Sequence, residues 1–189
     1  LIKTQKGLLK VLLLLMIVIG GTSVPGIASA STKSYSPINP FKLDNPQHIT
    51  YRFQNGTKAN KRIFQKAVKK WNGTKLVHFE QVKTKATIVV RWQNKSAKET
   101  TNATGATKIW TRGNMIDHEV ISLYTQAAKD WHLSAEGKYL NDAHELGHAL
   151  GLKHDKNRHS VMNQFFIDGK YDYYITTQNL NAVKQIYHE

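Results

Sequence analysis

Cysteine is absent from the 189 residues. That excludes disulfides, a thiol-anchored lipid and any thiolate metal ligand. Acidic residues are scarce: 13 Asp and Glu face 27 Lys and Arg, for a formal charge of +14. A surplus of this size can attract anionic polymers or acidic substrates. No nucleic-acid-binding signature accompanies it, and in sequence the lysines are spread through the chain, so a basic, solvated surface is expected and no nucleic-acid partner. Internal repeats are lacking too. The long apolar run is near the start, from about Leu8 to Ile19, and it is too short to span a bilayer comfortably.

That run has the layout of an export signal. Lys3, Lys6 and Lys10 supply positive charge, Pro25-Gly26 breaks the helix, and Ala28-Ser29-Ala30 is a small-x-small cleavage pattern. Residues 1–30 are therefore expected to be a signal peptide, with a secreted product beginning at Ser31 and no lasting membrane attachment. The remaining stretch is about one domain's worth of chain and keeps a strong positive charge. Residues 31–47, rich in Ser, Asn and Pro, read as a flexible lead-in. Residues 48–189 are expected to form one domain, with a monomer as the unit.

The chemistry is concentrated in His144-Glu145-Leu146-Gly147-His148-Ala149-Leu150-Gly151-Leu152-Lys153-His154. Two histidines four residues apart share a helix face, so both can aim a ring nitrogen at one metal ion. Gly151 can take the left-handed conformation that ends a helix, which lets the chain turn back and deliver His154 as a third ligand. Three protein ligands leave a position open for water, as in catalytic rather than structural zinc sites. Zinc would acidify that water, and Glu145, next to His144, could take its proton as general base. A chance match at all five fixed positions is roughly a few in 10⁵, which sets a decorated surface helix aside.

With Ser160-Val161-Met162 downstream, this stretch resembles the metzincin zinc endopeptidases, whose pattern is His-Glu-x-x-His-x-x-Gly-x-x-His followed by a methionine turn. It looks most like the matrixin branch, strongest over 142–163 and weaker from about Ile49 onward. The resemblance implies an α+β fold with a twisted mixed sheet, an active-site helix and a small C-terminal subdomain. It implies one catalytic zinc on His144, His148 and His154, and Met162 as an apolar floor beneath the metal. It also implies peptide-bond hydrolysis on protein or peptide substrates. Without cysteine, the cysteine switch of many matrixin pro-segments is excluded. The chain departs from the matrixin pattern in having Asp155 after the third histidine and Asn163-Gln164 after the methionine. No tyrosine lies two residues beyond Met162, which argues against an astacin-like extra ligand. No His-x-Asp pair supports a second zinc, and 83–116 has too few acidic residues to support calcium. A basic zinc-containing binding protein that has lost turnover is the alternative, and the intact Glu145 speaks against it.

The rest of the chain reads as alternating elements. A strand is expected over Ile49–Phe53 and an amphipathic helix over Ala59–Trp71. Further strands are expected over Leu76–Val82, Ala86–Trp92, Gly105–Thr111 and Ile116–Tyr124. The last of these is placed like the family's substrate-binding edge strand, with His118 as a surface residue rather than a ligand. Ala127–Lys138 reads as a partly helical connection, Asn141 or Asp142 as the cap of the active-site helix, and Thr176 or Thr177 as the cap of a last helix. By resemblance, 165–174 walls the pocket for the side chain just after the scissile bond; ordinary packing under the last helix is the competing account.

Overall fold

Apolar residues at helical spacing on one face and lysines on the other make Lys58–Asn72 the first helix, α1, of a computed structural model that describes residues 35–165 and 167–188. Thr57 caps it, its hydroxyl accepting from the Asn60 amide, and Phe64, Ala67, Val68 and Trp71 are buried. The strands are β1 (Ile49–Phe53), β2 (Phe79–Gln81), β3 (Ile88–Gln93), β4 (Gly105–Arg112) and β5 (Met115–Tyr124). The remaining helices are α2 (Thr125–Asp130), α3 (Ala135–Ala149) and α4 (Thr177–Tyr187). The expected leader (1–30) and Ser31 lie outside the described residues, as does Phe166. Among the described residues no helix is long and apolar enough to cross a membrane.

The five strands form one mixed sheet in the order β2-β1-β3-β5-β4, with only β4 antiparallel to its neighbour. This is the α+β architecture expected, but the edge is not where the sequence placed it. β5 is hydrogen-bonded on both sides, to β3 and β4, and β4 is the edge strand. The two strands form a hairpin, and hydropathy does not say which arm reaches the next strand. β5 can be interior because Ile116, Glu119, Ile121, Ser122 and Leu123 are buried along it, whereas β4 has no fully buried residue.

One face of the sheet packs on α1 and α3. Tyr51, Ile88, Val90, Ile121 and Leu123 meet Phe64, Trp71, Ala143 and Leu146 in a single core cluster. Trp71 is fully buried, a burial that contributes about 1.5–3 kcal/mol for a side chain of this kind. Its indole N–H donates to the Ala143 carbonyl at 2.9 Å, which fixes α1 against the active-site helix.

From residue 35 on, the expected lead-in is part of the fold. Ser36 and Leu43 are buried. The Asn39 amide donates to the Gly151 carbonyl, and the Lys153 amide to the Pro37 carbonyl, both at 2.8 Å. Ile38 bridges Leu152 and Lys42 bridges Met115. Composition alone reads Ser, Asn and Pro as loop, but the backbone groups of such a segment can still find long-range partners.

Glu119 is the anomaly of the core. It is fully buried on β5, and among the described residues neither carboxylate oxygen has a hydrogen-bond partner. Burial pushes its pKa well above the ordinary carboxylate range, so it is held protonated. The titratable group facing it is the phenol of Tyr187 on α4, itself raised chiefly by burial. Because the folded state holds the Glu119 proton more tightly than the unfolded state, its contribution is complete below about pH 4 and is lost as pH rises. Glu119→Gln should flatten that decline, so that the variant gains stability relative to the parent as pH rises. Denaturant midpoints across pH check this; parallel profiles for the two proteins would contradict it.

Candidate active site

α3 begins two turns earlier than the sequence suggested. Ser134, not Asn141 or Asp142, is the cap, its hydroxyl accepting from the Gly137 amide at 3.0 Å. Asn141 and Asp142 are interior helix residues: Asn141 Oδ1 accepts from the Thr104 hydroxyl at 2.6 Å, and Asp142 is buried. Several polar residues in a row offer competing caps, and the one that wins is the one whose backbone is extended, as at Ser134.

The helix ends as its glycine requires. Gly151 has φ +91, its amide donates to the His148 carbonyl at 2.9 Å, and the Leu152 amide reaches the Gly147 carbonyl at 3.0 Å. This paired closure is the Schellman arrangement. A side chain at Gly151 would be strained by that φ and would meet the Phe41 carbonyl. The chain then doubles back and brings His154 to the two helical histidines.

The three Nε2 atoms lie 3.0 Å (His144–His148), 3.2 Å (His144–His154) and 3.2 Å (His148–His154) apart. Ligands about 2.0–2.1 Å from one tetrahedral ion are separated by about 3.3 Å, so the spacing fits. The tautomers fit as well. His144 Nδ1 is 2.7 Å from the Val161 carbonyl and His148 Nδ1 is 2.8 Å from the Leu152 carbonyl. A carbonyl can only accept, so both Nδ1 atoms carry the proton and both Nε2 atoms turn bare lone pairs inward. Two lone pairs 3.0 Å apart repel unless a cation lies between them. Burial, the main cause, lowers the pKa of His144 to about 3 and of His148 to about 4, and His154 is lowered too. All three are therefore neutral ligands at ordinary pH, and the cluster could hold a metal ion.

Glu145 does not join that cluster. Its carboxylate is buried and accepts from the Thr107 hydroxyl on β4, 2.7 Å from Oε2. Burial raises its pKa to about 7, while the Thr107 hydrogen bond pulls the other way. Gly105, on the same strand, makes room for it: a Cβ there would fall 2.6 Å from Glu145 Oε1. Thr107 and Gly105 were not singled out from the sequence. Thirty-eight residues separate Thr107 from Glu145, and no periodicity connects them.

Below the helix, Met162 is fully buried in the turn after the third histidine. A Cβ on Gly147 would meet its Sδ, so glycine there lets the methionine approach the helix between His144 and His148. The Met162 carbonyl accepts from the Asp155 amide at 2.9 Å. The Asp155 side chain is a hub. Its Oδ2 accepts from Ser160 Oγ at 2.7 Å, Ser36 Oγ at 2.8 Å and Asn179 Nδ2 at 3.0 Å, and its Oδ1 from the Asn157 amide at 3.1 Å. Ser160 Oγ in turn accepts from the Met162 amide at 3.0 Å. One carboxylate thus ties the third histidine, the methionine turn, α4 and the docked segment at Ser36. Asp155→Ala strips the acceptor from donors buried at Ser36, Ser160 and Asn179. It should cost about 1–3 kcal/mol, measured as a lowered denaturant midpoint; a midpoint equal to the parent's would reduce Asp155 to a surface charge.

Other expected residues fall elsewhere. His159 lies apart from the three, its Nδ1 3.3 Å from the Asp172 carbonyl and its ring between Tyr171 and Tyr174. His118 is exposed on β5 and stacks on Trp110 at 4.4 Å. In the 165–174 segment Tyr173 is buried in the core, as ordinary packing requires, whereas Phe165, Ile167 and Tyr174 are exposed.

A family model described as Matrixin matches residues 42–188. The chain is also similar to a probable matrix metalloproteinase of Invertebrate iridescent virus 3, with 29% identity over 133 residues. That match covers 62% of this chain and 34% of the viral protein, so the chain spans about a third of that relative's length.

Proposed function

The chain belongs to the matrixin family of metallopeptidases, and on that premise we propose that it is a zinc-dependent endopeptidase. The observation that carries the reading is the pair of inward-facing lone pairs on His144 and His148, with His154 Nε2 3.2 Å from both, beside a separate buried carboxylate. Zinc bound there would supply Lewis acidity, acidifying a water and polarising a carbonyl.

The chain's own residues do the rest. Val161 and Leu152 carbonyls lock the first two rings in the ligating tautomer and orientation. Glu145, kept out of the ligand set and held by Thr107, accepts a proton from the attacking water at Oε1 or Oε2 and passes it to the leaving amine. The peptide carbonyl carbon gains the water oxygen, the C–N bond breaks, and the products are a carboxylic acid and an amine. The free edge of β4 runs beside Glu145, where an extended substrate can add a strand through backbone hydrogen bonds. Mass spectrometry of the fragments from an unfolded protein substrate tests the reading. Cuts inside the substrate are expected; release of terminal residues alone, or binding without cuts, would overturn it.

A further inference from the structure

The charge surplus is not uniform in three dimensions. No acidic residue occurs between Asp44 and Glu80, and α1 lies in the middle of that gap. It carries Lys58, Lys61, Arg62, Lys66, Lys69 and Lys70, no carboxylate, and an acid-free first turn. Phe64, Ala67, Val68 and Trp71 take its inner face, so these cations occupy the outer one, and all but half-buried Lys61 are exposed. At about 100° per residue, Lys58, Arg62 and Lys69 fall within about 40° of one line along the helix. Lys61 flanks that line on one side, Lys66 and Lys70 on the other.

Folding alone does not account for this face. Lys58/Arg62, Arg62/Lys66 and Lys66/Lys70 are like charges four residues apart, which destabilise a helix. Lys58 also sits at the positive end of the helix dipole. Only Lys66 has an ion pair, with Glu136 at 2.8 Å; among the described residues Lys58, Arg62, Lys69 and Lys70 have none. Counter-charge from outside the chain would offset that cost.

We propose that the outer face of α1 is a docking surface for a flexible, linear phosphodiester polymer without bases, such as a polyol phosphate chain. Along that line Lys58 to Arg62 rises about 6 Å and Arg62 to Lys69 about 10 Å, spacings that a flexible, extended polymer with one anionic group per repeat can follow. Lysines act on phosphate as point charges and need no fixed fork geometry. A protein partner would look for an apolar anchor, but the exposed large hydrophobic residues among the described ones are Trp131, Phe165, Ile167 and Tyr174, none on α1. Single-stranded nucleic acid would look for aromatic rings to stack on, and the outer face of α1 has none. The inner face of α1 holds the active-site helix through Trp71, so a polymer on the outer face tethers the protein and leaves catalysis untouched.

The test measures binding of poly(glycerol phosphate) to the full chain at a series of salt concentrations, with oligo-deoxythymidine and polyglutamate of equal charge as comparisons. Lys58→Glu/Arg62→Glu/Lys69→Glu is compared with Lys83→Glu/Lys85→Glu/Lys98→Glu, which makes the same change in net charge on exposed loops. The α1 triple should weaken binding at least tenfold and lower the salt slope by about 2, at roughly 0.7 per lost contact. The loop triple should stay within about twofold of the parent. Hydrolysis of a short peptide by both variants should match the parent, which shows that they fold. Equal losses in the two triples would overturn the proposal, because net charge alone would then explain binding. Tighter binding of oligo-deoxythymidine or polyglutamate than of the polyol phosphate would overturn it as well.

Discussion

Replacing Glu145 by alanine should leave a folded chain that takes up one zinc ion but hydrolyses peptides at least about 10²–10⁴-fold more slowly. The folded chain is expected because Glu145 adds little to the core: burial works against its charge, and among the described residues its one side-chain partner is the Thr107 hydroxyl. Retained zinc is expected because the three histidine nitrogens close on one another without it. The rate loss is expected because among the described residues no second carboxylate is placed to replace it. Asp155 is committed to Ser36, Ser160 and Asn179, and Asp142 is buried within α3. Glu145→Gln separates shape from proton transfer, since it keeps a group of the same size beside Thr107 and Gly105 but no base. Both variants should be assayed for zinc and turnover on one preparation. Near-normal turnover in either would show that the base is elsewhere, and loss of zinc would show that Glu145 is a ligand.

The second large effect concerns the third ligand. His154→Ala should weaken zinc by more than the 10–100-fold typical of losing a residue that only orients a ligand, and turnover should fall with it. His159→Ala, five residues on, should leave zinc content unchanged. Both histidines follow the helix, and from spacing alone either could return to it. The structure separates them: His154 Nε2 is 3.2 Å from both helical histidines, whereas His159 faces the Asp172 carbonyl and two tyrosine rings. Metal analysis after gel filtration decides the matter. Full zinc in His154→Ala with depleted zinc in His159→Ala would mean that the chain turns back at the wrong histidine.

Much of this was legible in the sequence because it is local. The bounds of β1, the apolar face of α1, the threonine cap of α4 (Thr176, of the two candidates) and the Gly151 turn each depend on residues within a few positions of one another. The histidine spacing is local too, since helix geometry converts four residues into one face. What was missed depends on partners far along the chain. Whether β4 or β5 lies at the edge is decided by pairing with β3, not by either strand's own pattern. Ser36 looks like linker until its hydroxyl donates to Asp155 and accepts from the Asn179 amide, 119 and 143 residues away. Thr107 and Gly105 gain meaning only once the hairpin lays β4 against Glu145. The start of α3 failed for a different reason: the helix continues through polar residues that could each have capped it.

The central claim is that His144, His148 and His154 hold a zinc ion on which peptide hydrolysis depends. Its most direct test is turnover of a quenched peptide before chelation, after removal of metal, and during titration with zinc. Hydrolysis should vanish in the metal-free chain and return in proportion to added zinc, reaching its plateau at one equivalent per chain. Undiminished hydrolysis by chain shown to be free of metal would contradict the claim, and a plateau only at two equivalents would contradict the single site.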